Sequence, residues 1–443
     1  MAGERTIRRT AAEEAILERF GVAGADLPGN DAVAGWRRTA LDAFAEKGLP
    51  TRRVEAWKYT DLKRLMTRAA PIAAPVADAT AVLGHDPLEG VERHRLVFVN
   101  GRYSAELSDA GLPEGVKVMT VAEALASGDA AIADALAEAS AGLAGDAAVS
   151  LNSAFLTDGA VIRIAPKAKI EKPIELAGLF AGDEAGAVAL RHLVLVGADA
   201  SADIVESWFG PDVAYETNAL TALVLGAGAR LGYTRLQAEG AAAVHLGTIA
   251  ASIAASASLE LFNLMLGAAV SRAQLFLAFE GEGGNADVRG ATLGAGRQHA
   301  DVTMMVDHAV PHCTSSETLK AVVGGEARAV FQGNILVRQH AQHTDARMML
   351  NALLRSPDAE FDAKPELEIY ADDVQCAHGA TSGALDENLL FYLLSRGIPR
   401  AEAEELLIVA FLGQVLAGIS NEAVAGAATA MVEAWLAAGR GAK

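Results

Sequence analysis

Residues 221–237 read TALVLGAGARLGYTRLQ. Two short alternating runs flank Gly226-Ala227-Gly228-Ala229. Alternation with a period of two marks half-buried strands, and the glycine–alanine link marks a tight corner. The reading extends both ways: RLVFVNGRY (95–103), AVIRIAPKAKI (160–170) and RHLVLVGADASADIVESW (191–208) are further short runs broken by Gly, Ala and Asp. A unit of alanine, any residue and an apolar residue follows these small-residue turns. It recurs at Ala168/Ile170, Ala202/Ile204, Ala229/Leu231, Ala257/Leu259 and Ala286/Val288, with a weaker copy at Ala327/Ala329. The steps are 34, 27, 28, 29 and 41 residues. No helical signal of useful length interrupts these strands. Coils that cannot bury their own inward face must stack, so the pattern predicts a mainly β chain built on a β-solenoid. An antiparallel sandwich or barrel with chance similarity is the alternative.

Composition agrees with stacking. The 443 residues include 43 glycines, and aromatics are only 5%, so the core is built from alanine, valine, leucine and glycine. The net charge of −19 argues against a nucleic-acid binder, and two cysteines fit a reducing compartment. Residues 1–70 carry a net +3, leaving −22 on the remainder, so the N-terminal segment is compositionally distinct. Glu13, Ile16, Leu17 and Phe20 follow helical spacing there, as do Trp36, Ala40, Leu41 and Phe44. Residues 69–80, rich in Ala and Pro, read as a linker. Residues 240–259 carry no Asp, Glu, Lys or Arg, yet hold His245, Thr248 and serines among many alanines. They read as a buried strand pair rather than a membrane helix. The first twenty residues lack the apolar core of a signal peptide, which predicts a soluble, cytoplasmic protein.

The chain turns helical again near its end. Asp386 is placed to cap a helix bearing Leu389, Leu390, Tyr392, Leu393 and Leu394, and Gly397 and Pro399 end it and start the next. EAEELLIVAFLGQVL and NEAVAGAATAMVEAWLAA supply two more helices. Leu406, Leu407, Ala410 and Phe411 form an apolar stripe, read either as core or as a docking surface.

Six of the ten histidines (His299, His308, His312, His340, His343, His378) and both cysteines (Cys313, Cys376) lie within 299–378. These are ligands for iron and zinc, but no CxxC or HExxH spacing gives a preformed site. On a strand, Cys376 and His378 share a face. They present a thiol and an imidazole together, or are a half-buried cysteine beside a surface histidine, which spacing alone favours. His340, His343 and Asp345 form either a polar cluster or a weak metal site. A Cys313–His312 nucleophilic pair needs a third orienting group that sequence does not supply. No GxxxxGK[ST] loop occurs, so the chain has no P-loop of its own, and Gly281–Ala286 (GEGGNA) reads as a solenoid turn.

Several segments resemble one family. KPELEIYADDVQCAHGATSGALDE (Lys364–Glu387) looks like the signature of the SufB/SufD family of iron–sulfur cluster assembly proteins, on its SufD side. The preceding His312–Ser356, RRVEAWKYTDL (52–62), NSAFLTDG (152–159) and VFVNG (97–101) are similar to that family in the expected order. The WKYT motif and the Cys-x-His-Gly-Ala-Thr string favour the SufD type over the SufB type.

The resemblance implies an N-terminal helical domain with linker (1–95), a right-handed parallel β-helix (96–380) and a C-terminal helical domain (381–443). It implies a non-catalytic scaffold subunit that pairs with a SufB-like subunit and docks a SufC-like ATPase on its C-terminal helices. ATP hydrolysis then belongs to the partner. His378 matches the family's functional histidine and Cys376 the motif cysteine. An iron ion or nascent iron–sulfur cluster is expected at the SufB–SufD interface, with His378 as a shared iron ligand. A reduced flavin would associate with the whole complex, nothing binds tightly to the isolated chain, and the lone chain is a homodimer. Other functions considered are a secreted-type β-helix polysaccharide-active enzyme and a membrane component of a transporter.

Overall fold

The computed structural model describes residues 9–76, 86–127, 130–138 and 141–438. One corner repeats along it. Lys167, Asp199, Gly228, Ser256, Gly283, His312 and His343 all turn through the left-handed region, with φ between 56° and 71°, at intervals of 27 to 32 residues. The conformation costs little only at Gly228 and Gly283; elsewhere the surrounding stack must hold it. The residue that follows, Ala168, Ala200, Ala229, Ala257, Gly284, Cys313 or Thr344, is small and lies in one register column. The sequence repeat finds this column at Ala168, Ala229 and Ala257. Ala202 and Ala286 lie two residues downstream, because Gly284 has no Cβ and Ala200 is shadowed by a second alanine. Ala327 belongs to another corner, which leads into the opposite sheet.

Strands β1 (His94–Val99), β2 (Arg102–Tyr103) and β3 (Val116–Thr120) come first. The coils follow as β4 (Ala160–Ile164), β5 (Ile174–Leu179), β6 (Ala187–Val196), β7 (Ser201–Phe209), β8 (Glu216–Leu225), β9 (Arg230–Ala238), β10 (Val244–Ile253) and β11 (Ser258–Met265). They continue as β12 (Val270–Phe279), β13 (Asn285–Gly294), β14 (His299–His308), β15 (Thr314–Val323), β16 (Arg328–Val337), β17 (Asp345–Leu354), β18 (Glu360–Ile369) and β19 (Gln375–Gly383). Even strands β4–β18 form one parallel sheet and odd strands β5–β19 the other. The chain thus winds through eight coils. Antiparallel pairing occurs at β1–β2 and β3–β4. Inward side chains stack in register. One column runs Ile174, Ile204, Tyr233, Leu261, Val288, Glu317, Met348 and His378. Residues 240–259 fall on β10 and the start of β11, strands as read but in opposite sheets rather than paired with each other, and among the described residues no helix is long and apolar enough to cross a membrane.

Helices cover both outer faces. α1 (Ala11–Ala23), α2 (Asp31–Lys47) and the short α3 (Leu62–Leu65) pack with α4 (Val121–Ser127), α5 (Ala130–Glu138) and α6 (Ala147–Phe155) against the first coils of the even sheet. The span 121–155 differs from the sequence reading, which gives 96–380 to strands. These alanine-rich stretches are good helix formers, and Asp146 caps α6 through the backbone N–H groups of Ala148 and Val149. Of the linker, Ile72 bridges to Ala187 and Ala73 is buried; residues 77–80 lie outside the described residues.

At the other end α7 (Glu387–Ser395), α8 (Arg400–Leu416) and α9 (Glu422–Ala438) follow the strands, with Asp386 capping α7 as expected. The buried stripe of α8 is Ile408, Leu412, Val415 and Leu416, laid on Val205, Leu236, Phe262 and Leu264 of the odd sheet. Leu406 and Ala410 are therefore left outside, while Phe411 packs at the margin of the contact, so the anticipated stripe only partly overlaps the true contact face.

The motif-bearing segments act as fasteners. Asn100 donates from its side-chain amide to the Ala74 and Ala181 carbonyls, and Asn152 to those of Leu190 and Asn218. A Cβ on Gly159 would run into the Arg191 carbonyl, so only glycine fits there. Residues 55–60 form a strap over the even sheet. Trp57 is buried with the Arg272 guanidinium 3.8 Å above its ring, and Arg272 pairs with Asp301 in full burial. Thr60 donates to Asp301 and lies 2.8 Å from His299 Nε2. The Ala56 carbonyl accepts from Arg272 (2.7 Å) and Gln332 (3.1 Å), and Glu55 pairs with Lys364. One strap thus spans β12, β14, β16 and β18.

Candidate functional site

Among the described residues both sheets end without a neighbour: β18 closes the even sheet and β19 the odd one. Free strand edges present unpaired N–H and C=O groups to another chain. The two edges are not alike. β18 carries Pro365, which has no donor, and an outward row of Glu360, Asp362, Lys364, Glu366 and Glu368. β19 has no proline and, apart from His378, no ionisable side chain beyond the thiol of Cys376.

Cys376 and His378 both stand on the inward columns of β19. Cys376 lies above Ala346 and Ser315, is half-buried and packs against the core. His378 lies above Met348 and is exposed, because no further coil covers it. Burial pushes the Cys376 thiol up, the Ala346 backbone pulls it down, and the charges of Asp345 and Glu317 push it further up. Gly379 faces the other way, where a Cβ would sit 3.1 Å from the Met349 methyl. The strand thus holds a thiol and an imidazole on one rim, with a glycine where bulk would collide.

The other candidates disperse. His299 is buried under the strap, and His308 lies inside the stack. His312 and His343 stack at the left-handed corner, 4.7 Å between centroids, and His343 Nδ1 is 3.0 Å from Asp373. Asp345 pairs with Arg347 and His343 with Asp373, and among the described residues His340, His343 and Asp345 form no metal-holding group. Cys313 is buried in its corner while His312 is exposed, so they are not a nucleophilic pair. Gly281 to Gly284 of GEGGNA form the turn between β12 and β13, as read from the sequence, and Asn285 and Ala286 open β13. Among the described residues no three His, Cys, Asp or Glu groups converge on a metal position. Sequence reasoning missed Glu317. The signal available was an acid standing in an otherwise apolar inward column, legible only once the register is known.

Comparison with known proteins follows the same outline. Residues 179–411 match the description "SUF system FeS cluster assembly, SufBD core domain", and residues 28–176 match "SufBD protein N-terminal region". The chain is 32% identical over 388 residues to the iron–sulfur cluster assembly protein SufD of Escherichia coli, covering 86% of this chain and 88% of that protein. It is 31% identical over 416 residues to an iron–sulfur cluster assembly SufBD family protein of Synechocystis, covering 91% and 90%. Similarity to SufB of Bacillus subtilis is lower, 24% over 267 residues, covering 59% of this chain and 57% of that protein. The chain belongs to the SufBD family of iron–sulfur cluster assembly proteins.

Proposed function

We propose that this chain is a non-catalytic scaffold subunit of an iron–sulfur cluster assembly complex, pairing through its last coil with a SufB-like subunit. The observation that carries this is the open end of the solenoid, where two unpaired strand edges frame Cys376 and His378. An incomplete ligand set at an interface is completed by the partner, so iron or a nascent cluster is cargo shared between subunits, with His378 as the ligand from this side. A reduced flavin would belong to the whole assembly, in the cytoplasm. Without its partner, the same edges on two copies would pair and give a homodimer. Family membership sets aside the polysaccharide-active and transporter alternatives.

ATP hydrolysis falls to a SufC-like ATPase docked on the C-terminal helices. Leu389, Phe391 and Tyr392 on α7 are 53%, 72% and 54% exposed, a concentration of large apolar side chains that marks a docking surface. Leu389→Ser combined with Phe391→Ser is expected to abolish co-purification of the ATPase while leaving the thermal midpoint unchanged. Retained co-purification would refute the placement. Deleting 384–443 is a blunter test, because it also uncovers the Val205, Leu236, Phe262 and Leu264 face.

A further inference from the structure

Two carboxyls inside the stack are matched, and a third is not. Glu206 receives Arg235 (2.9 Å), Thr221 (2.5 Å) and Trp208 (2.6 Å). Burial pushes it up, but Arg235 and its other partners take it down to about 2. Glu239 lies 2.6 Å from His245 Nδ1 and accepts from Thr217 and Gln237. Glu317 on β15 is fully buried, and among the described residues neither carboxyl oxygen has a well-formed hydrogen bond, since the nearby Ser315 hydroxyl lies 3.0 Å from His308 instead. Isolated buried charge is so costly that such a group takes up a proton instead. Burial indeed pushes Glu317 up to about 8, with a pull down from Ser315 and a further push from Asp287.

The surroundings decide what this acid can hold. Val288 and Met348 flank it in register and are themselves buried. His308, from the opposite sheet, lies 3.0 Å from the Ser315 hydroxyl, and burial takes it down to about 4, so it is neutral. Asp287 is paired with Arg289. A metal ion needs several converging donors, whereas a proton needs one oxygen.

We propose that Glu317 is an internal proton site whose proton is exchanged for a divalent cation arriving at the Cys376–His378 rim. The idea rests on the rim reading above. Register places Glu317, Met348 and His378 in one column. Neighbouring strands are about 4.8 Å apart, so the acid stands about 10 Å beneath the rim. With an effective dielectric near 20, two positive charges at that distance ease ionisation on the order of 100-fold. The carboxyl O–H breaks, its proton leaves to bulk water, the carboxylate stays, and no electron moves. Cation charge at the rim is then offset from within by a group that is neutral when the rim is empty.

The test uses the full chain co-purified with its SufB-like partner, as wild type, Glu317→Gln and Glu317→Met, with Co²⁺ as probe. Without metal at pH 7, the wild type should show the infrared carbonyl band of a protonated carboxylic acid, lost in both variants; absence of a difference overturns the proton site. As pH rises from about 5 to 8, the folded wild type keeps a proton that the unfolded chain has lost, so its stability should fall and that of Glu317→Gln should not. On adding Co²⁺, the wild type should release more protons per bound ion than Glu317→Gln, the excess approaching one. Equal release with equal binding overturns the coupling alone. No binding by either complex overturns the coupling together with the rim reading, while the infrared result still judges the acid.

Discussion

Trp57→Ala is expected to lower unfolding free energy by about 3–5 kcal/mol, the range for deleting a large buried aromatic. The indole is fully buried and is the surface on which Arg272 lies. Removing it opens a cavity and strips one face from a guanidinium whose partner, Asp301, is also wholly buried. The cation–ring contact contributes about 0.5–2 kcal/mol of the total. Trp57→Phe keeps a ring and should cost less than half as much. Urea midpoints give the magnitude. Hydrogen exchange gives the place: protection should fall first in β12 and β14, which meet the strap through Arg272, His299 and Asp301. A loss below about 1 kcal/mol would mean that the strap is ornamental.

His378→Ala should leave complex formation and folding intact and lower cluster yield. The side chain is exposed on the final strand, so its removal is expected to change stability by no more than about 0.5 kcal/mol. If the imidazole is a ligand, metal affinity should fall by about tenfold or more, since even groups that only support a ligand matter that much. The measurement is iron and sulfide content of the co-expressed complex, with subunit stoichiometry as the control. Wild-type yield in an intact complex would refute the assignment. Cys376→Ser reports the share of the thiol separately.

Much of the architecture is legible in the sequence because stacked coils repeat their constraints. Each corner needs a left-handed residue followed by a small one, and the alanines at 168, 229 and 257 carry that signature. The register slips at Ala202 and Ala286, since a glycine or a second alanine erases the mark. The helices of 121–155 escape because alanine-rich runs alternate too weakly to declare a period. At the site, the two-residue spacing of Cys376 and His378 is readable, being a property of any strand. Glu317 and the Trp57–Arg272 contact are not readable, since both join residues that only the winding of the chain brings together.

The strap also has a consequence in time. Synthesis proceeds from the N-terminus, so Trp57 leaves the ribosome long before the residues that receive it. Arg272 follows more than two hundred positions later, and Lys364 after three hundred. At about 5–20 residues per second, the indole spends tens of seconds without its seat. A growing chain therefore leaves the Arg272 face of this aromatic uncovered for about half of its translation, and the last coils lock down only when nearly the whole stack has been made. Pausing of the ribosome before residue 272 should leave a nascent chain that chaperones recognise, while pausing after residue 364 should not.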